Sequence, residues 1–260
     1  SSKLKSTSGK FQTMKNVPIT EYLEFMKETA YIEGRLTVGN FNTNITIDYK
    51  SDDTPYKIAY RKAEQLIRAR IENSYPGHSI IGEEFGEIEN ESAEFRWFID
   101  PIDGTKSFIN GVPLYSVLIG LEIAGVVQAG VAYFPALDEM LAAGTSLGCW
   151  WNGRRTMVSR VDSIARATTV FSTPSTFDEY NRGKEWKQVK RRTYFQAGWG
   201  DAYGYLLVAT GRVELMLDPV MNIWDCAPFP PILNEAGGYF GDWQGKATIY
   251  GNEAMATTRA

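Results

Sequence analysis

Two stretches near the start of the chain carry hydrophobic residues at helical spacing. In the first, apolar side chains recur along residues 22–32, Thr20 can cap the helix, and Gly34 marks its expected end. A polar stretch follows, after which residues 63–71 present apolar side chains on one face until Pro76. The pattern predicts two amphipathic helices joined by a polar segment.

The middle of the chain changes to short apolar runs that end at turn residues, which is typical of strands. These runs cover residues 79–81, 95–99, 115–123 and 126–133. The last two are separated only by Ala124 and Gly125, so we predict a hairpin there.

The rest of the chain alternates strand and helix patterns. Strands are predicted over residues 168–172 and 213–217, and helices over residues 177–190, 202–209 and from Trp224 to Gly237. A hairpin followed by this alternation predicts an α/β (α+β) fold of layered sheets and helices. Turn residues at 145–155 indicate an N-terminal half, 1–148, that contains the hairpin, and a C-terminal α/β half, 149–260, packed as one compact unit.

Charge and hydropathy exclude two classes of partner. The 260 residues include 27 basic and 31 acidic side chains, for a net charge of -4, and they form no basic stripe that could follow a nucleic acid polymer. Apolar runs are too short to cross a bilayer, and residues 1–14 are polar. We therefore expect a cytoplasmic protein with neither a nucleic acid nor a membrane partner.

The cysteines and the histidine lack the spacing of a metal site or a nucleophile pair. Cys149 and Cys226 are far apart in sequence, which favours two free thiols in a reducing compartment. His78 lies in a turn ahead of a strand, with no evident nucleophile to activate, so we expect it to be structural.

The densest chemical signal is the run Asp100-Pro101-Ile102-Asp103-Gly104-Thr105. An apolar strand leads into Asp100, and Pro101 has no amide hydrogen, so the strand is expected to end there. Both aspartates then project into a loop, and Gly104 with Thr105 can start a helix behind them.

Acidic residues follow apolar runs at two other places, Glu83-Glu84 and Asp225. Taken singly, such acids have ordinary explanations, an Asx turn or a helix N-cap. Converging carboxylates repel each other and favour a compensating cation, and hard oxygen ligands point to magnesium rather than zinc. Together they favour a site with two divalent ions that polarises a phosphoryl group and activates water.

Three segments of the chain resemble the signatures of the inositol monophosphatase family. They are Gly82-Glu83-Glu84, residues 100–105, and Trp224-Asp225 with Glu235-Ala236-Gly237-Gly238. The resemblance implies a layered α/β/α/β/α sandwich and a magnesium-dependent, lithium-sensitive phosphatase that acts on a small phosphorylated metabolite. It also implies a homodimer.

The resemblance also implies roles for individual residues. The expected magnesium ligands are Glu83, Asp100, the carbonyl of Ile102, Asp103 and Asp225, with Asp100 shared between two ions. Glu83 and Thr105 would position the attacking water, and the expected catalytic residues are Glu83, Thr105 and Asp103. The amides of Gly104 and Thr105, at a helix start, would bind the phosphate.

The branch of the family is indicated by Lys106, which follows Asp103-Gly104-Thr105 where inositol monophosphatases usually carry threonine. The lysine form is more similar to histidinol-phosphate phosphatases or bisphosphate nucleotidases, and residues 200–228 resemble the bacterial histidinol-phosphate phosphatases. Asp201 and Asp218 could bind the amine and imidazole of histidinol phosphate, or serve only as a helix cap and a turn residue. The expected substrate-binding residues are thus Gly104, Thr105, Asp201, Asp218 and Asp225. Inositol monophosphatase and bisphosphate nucleotidase activities stay open as alternatives.

One segment departs from the family pattern. Relatives carry a stretch resembling Pro-Val-Thr-x-Ala-Asp, whose aspartate accepts a hydrogen bond from the loop threonine. Here Lys57 stands in place of the threonine and Tyr60 in place of the aspartate. A phenol is neutral near pH 7, so Thr105 becomes a poorer activator of water. This departure supports an alternative of another class, a weakly active or inactive relative that binds a metabolite.

Overall fold

The chain opens with two long helices packed side by side. The structure, a computed structural model, describes residues 17–43, 55–88, 90 and 94–258. Helix α1 spans Ile19–Val38 and helix α2 spans Pro55–Ser74. The end predicted for α1 at Gly34 is wrong, because the helix continues past this residue. Gly34 instead allows the helix to pack closely on the Tyr133 ring, since a Cβ there would lie 2.6 Å from that ring. The helix cap predicted at Thr20 is also wrong, since the N-cap residue is Pro18.

Eight strands form the first sheet. They are β1 (Ser79–Gly82), β2 (Gly86–Ile88), β3 (Phe95–Asp103), β4 (Ser116–Ile123), β5 (Val126–Phe134), β6 (Glu139–Gly144), β7 (Gly148–Trp151) and β8 (Arg154–Arg155). Their order is β2-β1-β3-β4-β5-β6-β7-β8, antiparallel except for the parallel pair β1 and β3. The predicted hairpin is confirmed as β4 and β5, and Ala124 and Gly125 both take a positive φ in its turn.

Five strands form the second sheet, in the order β10-β9-β11-β13-β12. They are β9 (Thr168–Phe171), β10 (Phe195–Ala197), β11 (Leu215–Asp218), β12 (Gly238–Gly241) and β13 (Ala254–Thr258). Strand β9 pairs in parallel with β10 and β11, while β13 pairs antiparallel with β11 and β12. The strands predicted at 168–172 and 213–217 are confirmed as β9 and β11, with ends shifted by one or two residues.

Six shorter helices complete the fold. They are α3 (Thr105–Ile109), α4 (Ser175–Glu179), α5 (Gly183–Arg192), α6 (Ala202–Ala209), α7 (Ile223–Cys226) and α8 (Phe229–Glu235), with a 3₁₀ turn at Ile164–Arg166. Two predicted helices are each divided. The helix predicted over 177–190 is broken at Asn181, whose φ of 59° lies in the left-handed region. The helix predicted from Trp224 is likewise interrupted before α8, at Pro228.

The elements stack in five layers, which confirms the predicted α/β/α/β/α sandwich. One face of the eight-stranded sheet packs against α1 and α2 through Trp97 and Ile99. The opposite face, with Phe98, packs against α6, α8 and the five-stranded sheet. Helices α4 and α5 cover the far face of that sheet through Phe177 and Trp186. Because side chains alternate along β3, Asp100 points to the same face as Phe98, towards the middle of the molecule.

Three further predictions concern the cysteines, a membrane crossing and the division of the chain into halves. Cys149 and Cys226 are both buried free thiols, as predicted. Within the described segments, no helix has both the length and the apolar character that a bilayer crossing requires. The division into halves 1–148 and 149–260 stays a prediction.

Candidate metal centre and substrate pocket

Three aspartates from two distant parts of the chain converge at the end of β3. Asp103 ends that strand, Asp100 lies three residues before it, and Asp225 belongs to α7. One carboxylate oxygen from each lies within 4.8 Å of the others. The expectation that β3 stops at Pro101 is wrong, since the strand continues to Asp103. Its pairing with β4 shifts register between Asp100 and Asp103, because Pro101 cannot donate to a neighbour.

The two aspartates of β3 are oriented by hydrogen bonds from neutral groups. The amide of Ile102 donates to Asp100 Oδ1 at 2.9 Å. Asp103 Oδ2 accepts a hydrogen bond from the Ser116 hydroxyl at 3.2 Å and from the Ala202 amide at 3.0 Å. These donors leave the negative charge of both carboxylates uncompensated.

Asp225 is held by the start of its own helix. Asn222 is the N-cap of α7, and its amide and side chain donate to Asp225 Oδ2 at 3.1 and 3.2 Å. Asp225 is therefore the third helical residue of a capping box rather than the cap itself. The end of α7 packs directly against the eight-stranded sheet, since a Cβ on Gly120 of β4 would lie 2.7 Å from the Cβ of Ala227.

Electrostatics favours a cation at this cluster. Burial raises the pKa of the Asp100 carboxyl well above its usual range, and the charges of Glu83 and Asp225 raise it further. Burial likewise raises the pKa of Asp103, reinforced by Asp201 and Asp225. Such groups are held in their charged form most readily by an opposite charge, and the donors are all hard oxygens. The cluster thus fits a divalent cation such as magnesium.

Glu83 lies beside the three aspartates but outside their 4.8 Å group. It sits in the loop between β1 and β2, where the residue as a whole is exposed but its carboxyl group is enclosed by the neighbouring acids. Burial of the carboxyl raises its pKa to about 7, against a hydrogen bond with Asp100 that lowers it, and the charge of Asp225 raises it further. The structure therefore brings Glu83 into contact with the cluster, as the sequence predicted.

Gly104 and Thr105 start α3 next to the cluster, which confirms the predicted helix start. Gly104 has a φ of 78°, in the left-handed region that favours glycine. A Cβ there would also lie 3.2 Å from Asp201 Oδ2. Helix α3 has only five residues, so its dipole is small and any anion binding depends on the individual amides.

A pocket of about 180 Å³ opens beside the cluster. Its polar lining is acidic and hydroxylated, and it consists of Asp103, Asp201, Asp218, Asp225, Ser172, Thr173 and Thr176. The remaining lining residues are Ala202, Val220, Met221 and Phe229. Among the residues that line this pocket there is neither a lysine nor an arginine.

Asp201 and Asp218 meet in this pocket through Ser172. The Ser172 hydroxyl donates to Asp218 Oδ1 at 2.6 Å and accepts from the Asp201 amide at 2.9 Å. Tyr205 donates to the other Asp218 oxygen at 2.9 Å, and burial raises the pKa of Asp218 to about 7. Asp201 has φ 52° and ψ -154°, a strained conformation for a residue with a side chain.

Sequence reasoning missed Ser172 and Tyr205. Ser172 ends the predicted strand 168–172, where side chains often reach a site, and this position was the only signal for it. Tyr205 follows Asp201 by four residues on α6, but nothing in the sequence showed that its hydroxyl reaches Asp218.

Tyr60 occupies the place below α3 where relatives are expected to carry an aspartate. Its side chain is 3% exposed and packs with Ile102, Phe108 and Tyr115. Its ring meets that of Phe108 edge to face, with centroids 5.6 Å apart. The Tyr60 ring is therefore part of a buried apolar cluster.

His78 has the structural role that the sequence predicted. Trp97 Nε1 donates to His78 Nδ1 at 3.0 Å, and the imidazole stacks on Phe95 with centroids 4.4 Å apart. Burial lowers the pKa of His78 to about 4, so the ring stays neutral near pH 7.

Comparison with curated proteins gives histidinol-phosphatases among the most similar relatives. A histidinol-phosphatase of Chlorobaculum parvum is 40% identical over 240 residues, covering 92% of each chain. A histidinol-phosphatase of Streptomyces coelicolor is 32% identical, covering 82% of this chain and 83% of its own. A fructose-1,6-bisphosphatase/inositol-1-monophosphatase of Aquifex aeolicus is 30% identical, covering 91% and 93%. The predicted similarity to histidinol-phosphate phosphatases is confirmed.

Solved structures and a family model agree with these relatives. An inositol monophosphatase from Zymomonas mobilis superposes with a TM-score of 0.84 at 26% identity, covering 93% of this chain and 94% of its own. An IMPase from Thermotoga maritima gives 0.79 at 28% identity, covering 91% and 92%. Residues 19–259 match the model of the inositol monophosphatase family. With its acidic cluster in place and its whole fold shared with these proteins, the chain belongs to the inositol monophosphatase family.

Proposed function

We propose that this chain hydrolyses histidinol phosphate with the help of magnesium and without a covalent intermediate. The reaction class, phosphoric monoester hydrolysis, is that of its family. The observation that carries the proposal is the cluster of Asp100, Asp103 and Asp225, whose oxygens lie within 4.8 Å beside an acidic pocket. The three carboxylates would bind the metal ion, and the acidic pocket would bind a cationic leaving group.

Two sets of residues would hold magnesium. The first set is Glu83, Asp100 and the carbonyl of Ile102, and the second is Asp100, Asp103 and Asp225. Magnesium, when bound, supplies positive charge to the phosphoryl oxygens and makes water a stronger acid. The raised pKa values of the carboxyls support this proposal, because a cation would offset both the burial and the repulsion between neighbouring acids that raise them.

The protein's own groups orient the reactants. Glu83 and Thr105 are proposed to position the attacking water, and Asp103 to keep its geometry through the bonds from Ser116 and Ala202. The Gly104 and Thr105 amides would donate to the phosphoryl oxygens. Positioning of this kind can contribute several kcal/mol to the rate.

Asp201 is proposed to bind the amine or imidazole of the substrate. Its carboxylate lies against Gly104, on the side of the pocket next to the phosphate-binding amides. Asp218 already accepts hydrogen bonds on both oxygens and is 3% exposed. The predicted contact between Asp218 and the substrate therefore requires one of these bonds to be exchanged, whereas Asp201 is more exposed, although the charge of Lys106 also acts on its carboxylate.

A substrate panel tests the assignment. The purified chain with magnesium should release phosphate from histidinol phosphate with a higher kcat/KM than from inositol 1-phosphate or an adenosine bisphosphate. Equal, poor rates on all three would remove the histidinol assignment. Binding of histidinol phosphate without turnover would instead favour the metabolite-binding alternative that Tyr60 raises.

A variant tests the role of Asp201. Asp201→Asn should raise KM for histidinol phosphate about tenfold or more, since a charge-assisted hydrogen bond is typically worth about 1.5 to 3 kcal/mol. KM for inositol 1-phosphate, which has no cationic group, should change less. Asp162→Asn is a matched control, because the Asp162 side chain is 79% exposed. An equal rise of KM on both substrates would contradict the role.

Three family-linked properties remain predictions for this chain. Lithium should inhibit the enzyme, the chain should form a homodimer, and the protein should be found in the cytoplasm. Inhibition by LiCl at fixed magnesium and sedimentation of the purified chain check the first two.

A further inference from the structure

The loop that carries Glu83 is held from behind by a side chain of α2. Glu64 is completely buried, and its carboxylate accepts two backbone hydrogen bonds from this loop. The Glu84 amide donates to Oε2 at 2.6 Å, and the Phe85 amide donates to Oε1 at 3.2 Å. Glu64 therefore anchors the two residues that directly follow Glu83.

Arg68 completes this anchor from the next turn of α2. Its Nε donates to Glu64 Oε1 at 2.7 Å, and the two side chains are 7% and 0% exposed. A second guanidinium nitrogen donates to the carbonyl of Gly86, the first residue of β2. The buried ion pair thus contacts three backbone groups of the loop, because Glu64 accepts from two amides and Arg68 donates to one carbonyl.

Gly82 shows how closely Glu64 approaches the loop. A Cβ on Gly82 would lie 2.6 Å from Glu64 Cδ and 2.9 Å from Ile99 Cγ1. The glycine before Glu83 is therefore needed for space, so that the Glu64 carboxylate can reach the amides beyond it. This requirement links the Gly82-Glu83-Glu84 motif to a residue some twenty positions earlier in the chain.

A buried ion pair is a costly way to stabilise a fold. Removing two charges from water costs several kcal/mol per ion, and apolar residues of similar volume often pack as well or better. Here the pair also satisfies three backbone groups of a loop that has no strand partner at Glu84 or Phe85. The Glu64–Arg68 ion pair is therefore better explained by positioning of this loop than by stabilisation of the fold.

We infer that Glu64, supported by Arg68, is a positioning residue that holds Glu83 against the aspartate cluster. The inference rests on the proposed function, because it gives Glu83 a metal to bind. Outer-shell partners of metal ligands typically contribute about 10- to 100-fold to metal affinity. Loss of the Glu64 carboxylate should therefore weaken metal binding at the set that includes Glu83.

The experiment measures Mn²⁺ binding to the metal-free full chain by calorimetry, with Mn²⁺ chosen because it prefers the same oxygen donors. Glu64→Gln should weaken binding about tenfold or more, and Glu72→Gln, an exposed position on the same helix, should not change it. Glu64→Gln should also raise the magnesium concentration for half-maximal phosphatase activity, with kcat largely recovered at saturation. A general packing defect would not recover in this way.

A double-mutant cycle identifies the route of the effect. In a Glu83→Gln background, Glu64→Gln should cause no further loss of Mn²⁺ affinity, because Glu64 acts only through the position of Glu83. Should Glu64→Gln fail to fold, Arg68→Lys serves instead, with the same direction and a smaller loss.

The outcomes separate two failures. Unchanged Mn²⁺ affinity in Glu64→Gln, or an equal loss with and without Glu83, overturns the positioning role while the metal site stands. Failure of the wild-type chain to bind Mn²⁺ at all overturns the proposed function and the positioning role together.

Discussion

Replacing Asp100 by asparagine should stabilise the metal-free protein while removing its response to magnesium. Asp100 is 2% exposed and shares a 4.8 Å cluster with Asp103 and Asp225. Asparagine is nearly the same size and keeps an oxygen for the bond that Ile102 donates to Asp100 Oδ1. The substitution therefore removes charge with little change in packing.

The magnitude follows from the separation of the oxygens. Two unit charges 4.8 Å apart repel by about 3.5 kcal/mol at an effective dielectric constant of about 20. The oxygens lie no farther apart than this and Asp100 takes part in two such pairs, so full ionisation would cost at least about 7 kcal/mol at that dielectric constant. Proton uptake by the cluster relieves much of this repulsion, since the carboxyl pKa values are raised. We expect about 2 kcal/mol of net stabilisation, or a rise in Tm of roughly 4–8 °C.

Thermal unfolding in EDTA and in millimolar magnesium at about pH 8 measures both effects. Magnesium at a hundred times its Kd should stabilise the wild type by about 2.7 kcal/mol, and Asp100→Asn by much less. Asp162→Asn, at an exposed ion pair, is the control and should behave like the wild type. A lower Tm of Asp100→Asn in EDTA, or an undiminished magnesium response, would refute the reasoning.

Three further substitutions probe other parts of the molecule. Tyr60→Asp, alone or with Lys57→Thr, should raise kcat more than it changes KM, because it restores a proton acceptor. The same change should lower Tm, because it places a carboxyl group in an apolar cluster. Steady-state kinetics that show an unchanged kcat would contradict this prediction. Because the folded pKa of His78 is about 4 against 6.5 when exposed, its contribution to stability is lost as pH falls below about 6.5. The stability difference between wild type and His78→Gln should therefore shrink by roughly 1 kcal/mol from pH 7 to 5, after a discount for partial exposure, in chemical denaturation. Gly130→Ala should lower the free energy of unfolding by about 1–3 kcal/mol, because its Cβ would lie 2.7 Å from the carbonyl carbon of Pro228; an unchanged Tm would contradict this close packing.

Local signals were sufficient to predict much of the fold. The hairpin of β4 and β5 followed from Ala124 and Gly125, whose positive φ values suit its tight turn. Helix α6 and the end of α2 followed from apolar spacing and from Pro76. The residues of the aspartate cluster were found because acids that follow apolar runs tend to meet at strand ends.

Contacts between distant segments explain some of the errors. Gly34 looks like a helix end, but it makes room for the Tyr133 ring, which lies on a strand far along the chain. The break at Asn181 is instead local, because asparagine tolerates the left-handed conformation, and this turn signal was overlooked. The hydrogen bond between Ser172 and Asp218 joins β9 to β11, and only the order of strands in the second sheet brings them together.

The surroundings of the three aspartates explain why a bound cation, rather than a side chain of the protein, would balance their negative charge. Among the described residues, the hydrogen bonds to these carboxylates come from neutral donors, such as the Ile102 amide and the Asn222 side chain. An arginine in the same places would have neutralised the cluster and removed its affinity for a metal. Arg68 is buried but is paired with Glu64 instead, and it acts on the loop backbone rather than on the aspartates. The fold thus orients the carboxylates with neutral hydrogen-bond donors, and their negative charge is left for a bound cation to balance. Without that cation, repulsion between the carboxylates lowers the stability of the protein.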